Sequence, residues 1–396
     1  MLKKMNNLII FSIAILSILS ESSSPILSPS SSQDFLIALS SASVSFASSR
    51  SPETPPPPLL EYDFYRKSCP DAERIVGATM AQIYLRQRDV SAALLRLFFH
   101  DCFVHGCDAS VLLDDSGGNA SRPIEKQAIP NRTLRGFEQI YMIKEELERV
   151  CPGVVSCADI ISLATRDGVV LAGGPFFPVY TGRKDSRQSF FREALTDIPR
   201  PDGDINDTLQ KFSLKGFSVR DTVSLLGAHN IGRMSCNFIH SRLFNFNQTG
   251  QPDPTLAPDF LIEMRTKCGN DSTNRTFLFD TRKSSRRGMI ESAKVKDREK
   301  AGKGMMFQQL LSSVQNGAGF DTHYYQSLLN GRGVLYADQQ LMADERTARL
   351  VRAYASDDGK TFRTDFARAM VKMSSLQAFE NSQGVVRLNC SLPLFS

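Results

Sequence analysis

The sequence predicts a mostly α-helical protein. Apolar residues recur every three or four positions in six segments, a spacing that gives each segment one apolar helix face. These segments are 75–85, 92–99, 137–150, 158–170, 219–226 and 366–376. Glycine and proline separate them, and the alternation of apolar and polar residues that is typical of strands is scarce. The chain has 396 residues, enough to bury a large core, and we expect one helical domain over residues 59–390.

The N-terminal region is expected to lie outside this domain. Two lysines precede an apolar stretch over residues 8–19, and serine-rich sequence follows, which is the layout of a secretory signal peptide over residues 1–22. A membrane anchor is the alternative, but the stretch is short for a bilayer span. Residues 23–58 are rich in serine and proline and have no apolar face, so they predict a disordered leader. Residues 391–396 form a short tail.

The eight cysteines indicate an oxidising compartment. In a secreted chain they predict four disulfides, although their spacing alone leaves 105 possible pairings. A zinc site is a weak alternative, because no CxxC pair and no histidine doublet occurs at ligand spacing. Seven Asn-x-Ser/Thr sites occur, and five of them are typical of a glycosylated secreted protein, namely Asn119, Asn206, Asn247, Asn270 and Asn274. The other two, Asn131 and Asn389, are expected to have structural roles that hide them.

Chemically active side chains are concentrated in residues 95–110. Arg96 and His100 are four residues apart, so they share one face of the predicted helix. A surface arginine and a buried structural histidine would be the plain interpretation of either residue alone. Directly after them, oxygen donors surround a glycine, as a Ca²⁺ loop requires. The candidate donors are Asp101, the carbonyls of Val104 and Gly106, Asp108 and Ser110.

Residues 95–110, LRLFFHDCFVHGCDAS, resemble the distal segment of the class III secretory plant peroxidases. The similarity extends from Tyr62 to Cys390. It implies two helical halves that enclose heme b, four disulfides and two Ca²⁺ ions. The implied activity is reduction of hydrogen peroxide coupled to one-electron oxidation of small phenols, as in lignin or suberin formation and oxidative stress. The implied protein is a secreted monomer of the cell wall or the vacuole, without a membrane anchor.

On the distal side of the heme, the resemblance implies that His100 takes a proton from hydrogen peroxide and returns it to the leaving oxygen. Asn131, in EKQAIPN, would accept the ring N–H of His100 and fix its tautomer. Arg96 would stabilise the charge that develops as the O–O bond breaks. Phe99 would shield the reacting oxygen and steer organic substrates to the heme edge, and Pro199 would contact the substrate.

On the proximal side, the segment LLGAHNIG resembles the motif of the iron ligand and implies that His229 binds heme iron. Asp338, in YADQQL, matches the acidic residue that accepts the other ring N–H of this histidine, which strengthens electron donation to iron. Small residues at 227 and 228 would let the helix approach the heme closely.

The resemblance also implies the disulfide pairs and a second Ca²⁺ site on the proximal side. The pairs are Cys69–Cys151, Cys102–Cys107, Cys157–Cys390 and Cys236–Cys268. The proximal Ca²⁺ ligands would be Asn230, Asp280, Asp321 and the Gly319 carbonyl. Position 230 is usually threonine in the family, so this site is altered here. Phe177 stands where the family usually carries its lone tryptophan, and we expect activity to survive this change.

Residues 281–318 interrupt the proximal Ca²⁺ loop with about thirty residues more than the family has. This segment holds nine basic and three acidic side chains, and the chain's net charge is +5, so the remainder has a net charge near −1. Its basic, pattern-free composition leads to the hypothesis that it is retained non-coding sequence in the gene model. Sequencing the transcript across codons 281–318 tests this hypothesis, and finding them in abundant mature message contradicts it.

Three other functions agree less well with the sequence. An intracellular ascorbate or cytochrome c peroxidase is disfavoured by the signal peptide, the cysteines and the absence of tryptophan. A catalytically impaired, wall-associated binding protein is the main alternative, because the proximal Ca²⁺ loop is split. Nucleic-acid binding through the basic segment is disfavoured by secretion and by the lack of interleaved aromatic residues. For the leader, a plain linker is favoured over contact with cell-wall polymer.

Overall fold

The protein is represented by a computed structural model, which describes residues 60–115, 122–269, 305–306, 320–376 and 384–393. The α-helices of these residues are α1 (Ala72–Arg86), α2 (Val90–Val104), α3 (Phe137–Val150), α4 (Cys157–Leu171), α5 (Phe191–Thr196), α6 (Ile205–Leu214), α7 (Val219–Leu226), α8 (His240–Phe244), α9 (Pro258–Cys268), α10 (His323–Leu329), α11 (Tyr336–Gln339), α12 (Glu345–Ser356) and α13 (Lys360–Ser374). Short 3₁₀ turns connect several of them, including Gly227–Asn230 directly after α7.

The prediction of a mostly α-helical fold is confirmed. Segments 137–150 and 219–226 coincide with α3 and α7, and the other four overlap α1, α2, α4 and α13. Among the described residues, strands are limited to β1 (Arg233–Met234) and β2 (Met305–Met306), which pair antiparallel. Because β2 lies inside the basic segment 281–318, two residues of that segment take part in the fold beside β1.

The first half of the domain is built around α4. Most residues of this helix are buried, polar Asp159 and Thr165 among them, and it packs against α1, α2 and α3. Ser156 begins it by accepting a hydrogen bond from the Asp159 backbone N–H at 3.1 Å. The packing of α2 against α4 fixes the helix that carries Arg96 and His100.

The second half packs α7 against α12 and α13, and α10 against α12. At the start of α7, Ser218 and Asp221 form a capping box, which satisfies two backbone N–H groups. Buried aromatic rings fill the centre, with Tyr325 in contact with both Tyr354 and Phe362. This core supports the turn that carries His229.

A smaller apolar cluster lies beside the second half. It joins β1, α8 and α9 to the segment that precedes α11. Buried Arg242 crosses this region, donating to Asp253 at 2.6 Å and to the Val334 carbonyl at 2.7 Å. These bonds fix the loop that leads into Asp338.

Four disulfides join the pairs that the resemblance implied: Cys69–Cys151, Cys102–Cys107, Cys157–Cys390 and Cys236–Cys268. The Cys157–Cys390 bond ties the C-terminal segment to the start of α4 across 233 residues. Cys102–Cys107 closes the loop at the end of α2 over five residues. The described residues contain no free cysteine.

We expect the loss of Cys157–Cys390 to destabilise the fold more than the loss of Cys236–Cys268. The two bonds close 233 and 32 residues, so chain entropy predicts a difference of about 2 kcal/mol in the free energy of unfolding. Urea unfolding of the two double-alanine variants, in the presence of calcium, measures it. Equal losses would contradict this expectation, since both variants replace buried cysteines by the same residue.

Several predictions lie outside the described residues. They concern the signal peptide, the leader, most of segment 281–318, and Asn119, Asn270, Asn274, Asp280 and Gly319. They stay predictions, as do the boundaries of the domain. Among the described residues, no helix combines the length and the apolar character needed to span a bilayer.

Candidate active site

The distal group lies on α2, where Arg96 and His100 face each other one helical turn apart. The Arg96 Nε–H donates to His100 Nε2 at 3.3 Å. The rest of its guanidinium donates to the Pro130 carbonyl at 2.8 Å and to the Thr133 hydroxyl at 2.9 Å. Arg96 is therefore held against the His100 ring by the loop that follows it in sequence.

Asn131 sets the tautomer of His100. The Asn131 amide nitrogen donates to the Glu125 carbonyl at 2.9 Å, which turns its amide oxygen toward His100 Nδ1 at 2.6 Å. Because an amide oxygen can only accept, Nδ1 must carry the proton and Nε2 the lone pair. Residues 96, 100 and 131 thus form the hydrogen-bonded group that the resemblance implied.

His100 is held in its neutral form. Its side chain is 4% exposed, and burial together with the positive charge of Arg96 lowers the pKa of His100 to about 3. Burial also lowers the pKa of Arg96, to about 10, which leaves Arg96 charged at neutral pH. The distal side therefore pairs an unprotonated base with a fixed cation.

Phe99 borders the distal group. The Phe99 ring meets the His100 ring edge-on at 5.6 Å and packs against Phe103 at 4.6 Å. Ile198, the residue before Pro199, belongs to a small apolar cluster against which Phe99 packs. Phe99 and Pro199 are both partly buried, and the role of Pro199 in substrate contact stays a prediction.

The proximal group joins the 3₁₀ turn after α7 to the start of α11. His229 Nδ1 lies 2.7 Å from Asp338 Oδ1, and the Asp338 side chain is fully buried. The same carboxylate oxygen accepts a hydrogen bond from the Tyr324 hydroxyl at 3.0 Å. The pairing of His229 with Asp338, across 109 residues, is the one that the resemblance implied.

Close packing within the protein requires glycine at position 227. A Cβ at Gly227 would collide with the Phe362 ring and the Tyr325 hydroxyl. Glycine therefore lets the turn approach α10 and α13, and the expected close approach to a heme stays a prediction.

The two histidines fit the requirements of a heme iron. A histidine that binds iron needs a partner for its Nδ1–H and a second ring nitrogen for the metal, and His229 has such a partner in Asp338. The base on the opposite side must be unprotonated, and His100 is. The residues present are thus chemically suited to heme.

The loop at the end of α2 gathers buried carboxylates. Asp101, Asp108 and Glu125 are at most 3% exposed, and Asp101 Oδ1 has no hydrogen-bond partner. Burial, followed by neighbouring carboxylates, raises the pKa of Asp101; burial raises the pKa of Asp108 to about 6 and that of Glu125 to about 8. Buried Arg387 opposes these negative charges. A cation at this loop would relieve the remaining repulsion.

The distal calcium candidates fit this need. Gly106 has a φ of 95°, a turn that glycine adopts without strain. No three His, Cys, Asp or Glu side chains in the described residues are grouped to hold a metal, so carbonyl and hydroxyl oxygens would complete the shell. Some candidates already accept a hydrogen bond, among them the Val104 carbonyl, which accepts one from Lys215 at 2.9 Å. A second lone pair on such an oxygen can still bind a cation.

The proximal calcium candidates are described only in part. The Asn230 amide nitrogen donates to the Asp321 carbonyl at 2.9 Å and to Asp321 Oδ1 at 3.0 Å. In this orientation the Asn230 amide does not present its oxygen beside Asp321, as a calcium ion would require. The other two candidates, Asp280 and Gly319, lie outside the described residues, so the second calcium site stays a prediction.

Three residues of the site were not predicted from the sequence. Glu125 orients Asn131, Thr133 holds Arg96, and Tyr324 shares Asp338 with His229. Glu125 and Thr133 flank Asn131 closely, so their proximity to a predicted site residue was a usable signal. Tyr324 is 14 residues from Asp338, and nothing in its local sequence indicates which buried group it contacts.

Comparison with known proteins agrees with this geometry. The family model described as "Peroxidase" matches residues 76–357. "Putative Peroxidase 48" of Arabidopsis thaliana is 44% identical over 345 residues, covering 85% of this chain and 83% of that protein. "Peroxidase 10" of Arabidopsis thaliana is 40% identical over 84% of this chain and 86% of its own length. "Peroxidase N1" of Nicotiana tabacum is 39% identical over 83% and 88%. The chain belongs to the plant class III peroxidase family, whose members are secreted enzymes.

Proposed function

We propose that the peroxidase activity of this chain is carried by His100, Arg96 and Asn131 on the distal side and by His229 and Asp338 on the proximal side. The observation that supports this assignment is the contrast between the two histidines. His100 is buried, neutral and in contact with a cation. His229 is hydrogen-bonded to a buried carboxylate.

Heme, when bound, supplies an iron that binds hydrogen peroxide and exchanges electrons with the donor. His100 accepts a proton from hydrogen peroxide at Nε2 and returns it to the leaving oxygen, which departs as water. Arg96 stabilises the negative charge that develops on that oxygen as the O–O bond breaks. Asn131 keeps Nε2 unprotonated by holding the proton at Nδ1.

We further propose that small phenols are the electron donors and that Phe99 and Pro199 border their path. Both residues are partly buried, and the aromatic rings beside Phe99 offer apolar contacts to a phenol. Deposition in the cell wall or vacuole, contact with wall polymer and a monomeric state belong to this proposal. The proposal also includes one Ca²⁺ ion bound at the loop after α2.

An inactive, wall-associated binding protein is not favoured. The peroxidase family match runs across both histidines and across the interrupted segment. The described distal and proximal groups also keep the hydrogen bonds that the activity needs.

The absorption spectrum of the purified secreted protein tests the proposal. We expect a ferric heme band that shifts with one equivalent of hydrogen peroxide and returns when a phenol is added. A heme band that ignores peroxide, or the absence of a heme band, would contradict it. A band that shifts with peroxide but returns only with a non-phenolic donor would contradict the assignment of the donor alone.

The reaction with hydrogen peroxide should stay fast in mild acid. Because the pKa of His100 lies near 3, below its ordinary value of 6.5, the base stays unprotonated until the pH approaches 3. We expect a constant second-order rate from pH 7 to about pH 4.5. Stopped-flow mixing with a pH jump, at saturating calcium, measures this rate before acid unfolding intervenes. A decline centred near the ordinary pKa would contradict the expectation.

A further inference from the structure

Asp338 Oδ1 accepts two hydrogen bonds from different elements. One comes from the His229 ring at 2.7 Å and the other from the Tyr324 hydroxyl on α10 at 3.0 Å. The second carboxylate oxygen, Oδ2, accepts the Leu335 backbone N–H at 3.0 Å. Two side-chain donors therefore share one oxygen of a carboxylate that the backbone holds through its other oxygen.

Burial strengthens both hydrogen bonds to Asp338 Oδ1. Tyr324 and Asp338 are both 0% exposed, so water does not compete for these hydrogen bonds. Hydrogen bonds to a charged group are strong in such surroundings. Burial and the nearby Asp338 charge raise the pKa of Tyr324 far above its ordinary value, so its hydroxyl keeps its proton and acts as a donor.

A shared acceptor binds each donor less strongly. The hydrogen bond from the Tyr324 hydroxyl partly neutralises the negative charge on the Asp338 oxygen. The oxygen therefore attracts the proton on His229 Nδ1 less strongly. A histidine whose N–H is drawn less strongly is a weaker electron donor to a metal at its other nitrogen. Outer hydrogen bonds of this kind set the reduction potential of a heme.

We propose that Tyr324 is a positioning residue that limits the electron donation of His229 by sharing the acceptor Asp338 Oδ1. The proposal rests on the proposed function, since it takes His229 as the iron ligand. The Tyr324 hydroxyl reaches His229 through Asp338, whose position depends also on the Leu335 N–H. The Tyr324 ring also meets the His229 ring edge-on at 6.4 Å, a contact that Tyr324→Phe keeps. Removing the hydroxyl therefore strengthens the His229–Asp338 hydrogen bond without releasing the carboxylate.

The test compares Tyr324→Phe with Asp338→Asn in the heme-loaded protein. Resonance Raman spectroscopy of the ferrous form reports the iron–histidine stretching band, and a redox titration gives the ferric/ferrous midpoint potential. Tyr324→Phe should move the band to higher wavenumber and the potential to a more negative value. Asp338→Asn, which weakens the acceptor, should move both in the opposite direction.

Tyr354→Phe is the matched control. Tyr354 is a buried tyrosine whose hydroxyl donates to another carboxylate, Asp365, at 2.7 Å, so the same chemical change is made elsewhere in the core. It should leave the band and the potential at their wild-type values. The thermal unfolding midpoints of the two tyrosine variants show whether a general loosening of the fold accompanies either change.

The outcomes distinguish a failure of this inference alone from a failure of the proposed function. If Tyr324→Phe leaves both readouts at wild type, or shifts them in the direction of Asp338→Asn, Tyr324 has only a structural role and the inference is overturned. If the wild-type protein shows no iron–histidine band, or Asp338→Asn changes nothing, His229 is not the ligand held by Asp338. That result overturns the proposed function and this inference together.

Discussion

Replacing His100 with leucine should slow the reaction with hydrogen peroxide by about 10²–10⁴-fold, the range that a positioned acid–base group contributes. Leucine fills a similar volume but has no atom that can take a proton from peroxide or return one to the leaving oxygen. Arg96 would remain, yet a guanidinium whose pKa is about 10 cannot serve as the base near neutral pH. Stopped-flow absorbance in the heme region measures the rate.

His240→Leu is the control for this variant. His240 is a partly buried histidine on α8 that packs against Phe244, outside both histidine groups. It should react with peroxide at the wild-type rate. The ferric heme band of His100→Leu should persist, because His229 and Asp338 are unchanged. A loss smaller than about tenfold would mean that another group transfers the proton, since it falls below the usual range for a positioned base.

Sequence predicted the parts of the site that depend on local spacing or on a recognisable motif. Arg96 and His100 share a helix face because they are four residues apart, and the helix that carries them was predicted from its apolar period. Asn131 and Asp338 were assigned by resemblance, and each lies within hydrogen-bond distance of its histidine, across 31 and 109 residues. Both residues of each pair lie in a segment whose sequence could be recognised without the structure.

Other features of the site depend on packing between distant elements, which one sequence does not reveal. The glycine at 227 is explained by Phe362 and Tyr325, two side chains on α13 and α10. Asn230 was expected to offer oxygen, but its amide nitrogen faces Asp321. An amide offers a donor and an acceptor at similar positions, so only the neighbours decide which one is used.

The helices that the sequence did not predict also depend on packing between elements. In α12, the apolar positions are few and arginine is frequent, which lowers its mean hydropathy, yet the buried residues Thr347, Val351 and Tyr354 lie on one face. That face packs against α7, which is far away in sequence, and against α10. Tertiary packing of an amphipathic face stabilises such a helix.

Removal of calcium should cost the fold about 3–5 kcal/mol in the free energy of unfolding, the usual loss when a buried charge is left without its partner. Without the ion, Asp101, Asp108 and Glu125 would face each other in a buried loop with Arg387 as their nearby cation. We expect at least one bound calcium per heme by elemental analysis, because the buried carboxylates near the end of α2 need a cation.

Asp101→Asn tests the site against Asp114→Asn. Asp101 is fully buried with one oxygen lacking a partner, whereas Asp114 lies on the same loop with a side chain 56% exposed and paired with Lys126. Asp101→Asn should lose calcium and become insensitive to a chelator. Asp114→Asn should keep calcium and lose at most about 1 kcal/mol, as is typical of a surface ion pair. Equal unfolding free energies for the two variants, or a wild type that ignores the chelator, would contradict the distal site.

The same experiment should also affect catalysis, because the calcium loop and the distal base are connected. Asp101 directly follows His100 on α2, and Glu125 accepts the Asn131 amide through its carbonyl while its carboxylate belongs to the buried cluster. Without the ion, the pKa of Glu125 is about 8, so its carboxyl is largely protonated at neutral pH and its contacts in the cluster change. Asn131 would then hold the His100 tautomer less firmly. We therefore expect chelation to slow the peroxide reaction of the wild type before the protein unfolds, and Asp114→Asn to respond as the wild type does. Unfolding without a prior loss of rate would mean that the calcium loop stabilises the fold but does not position the base.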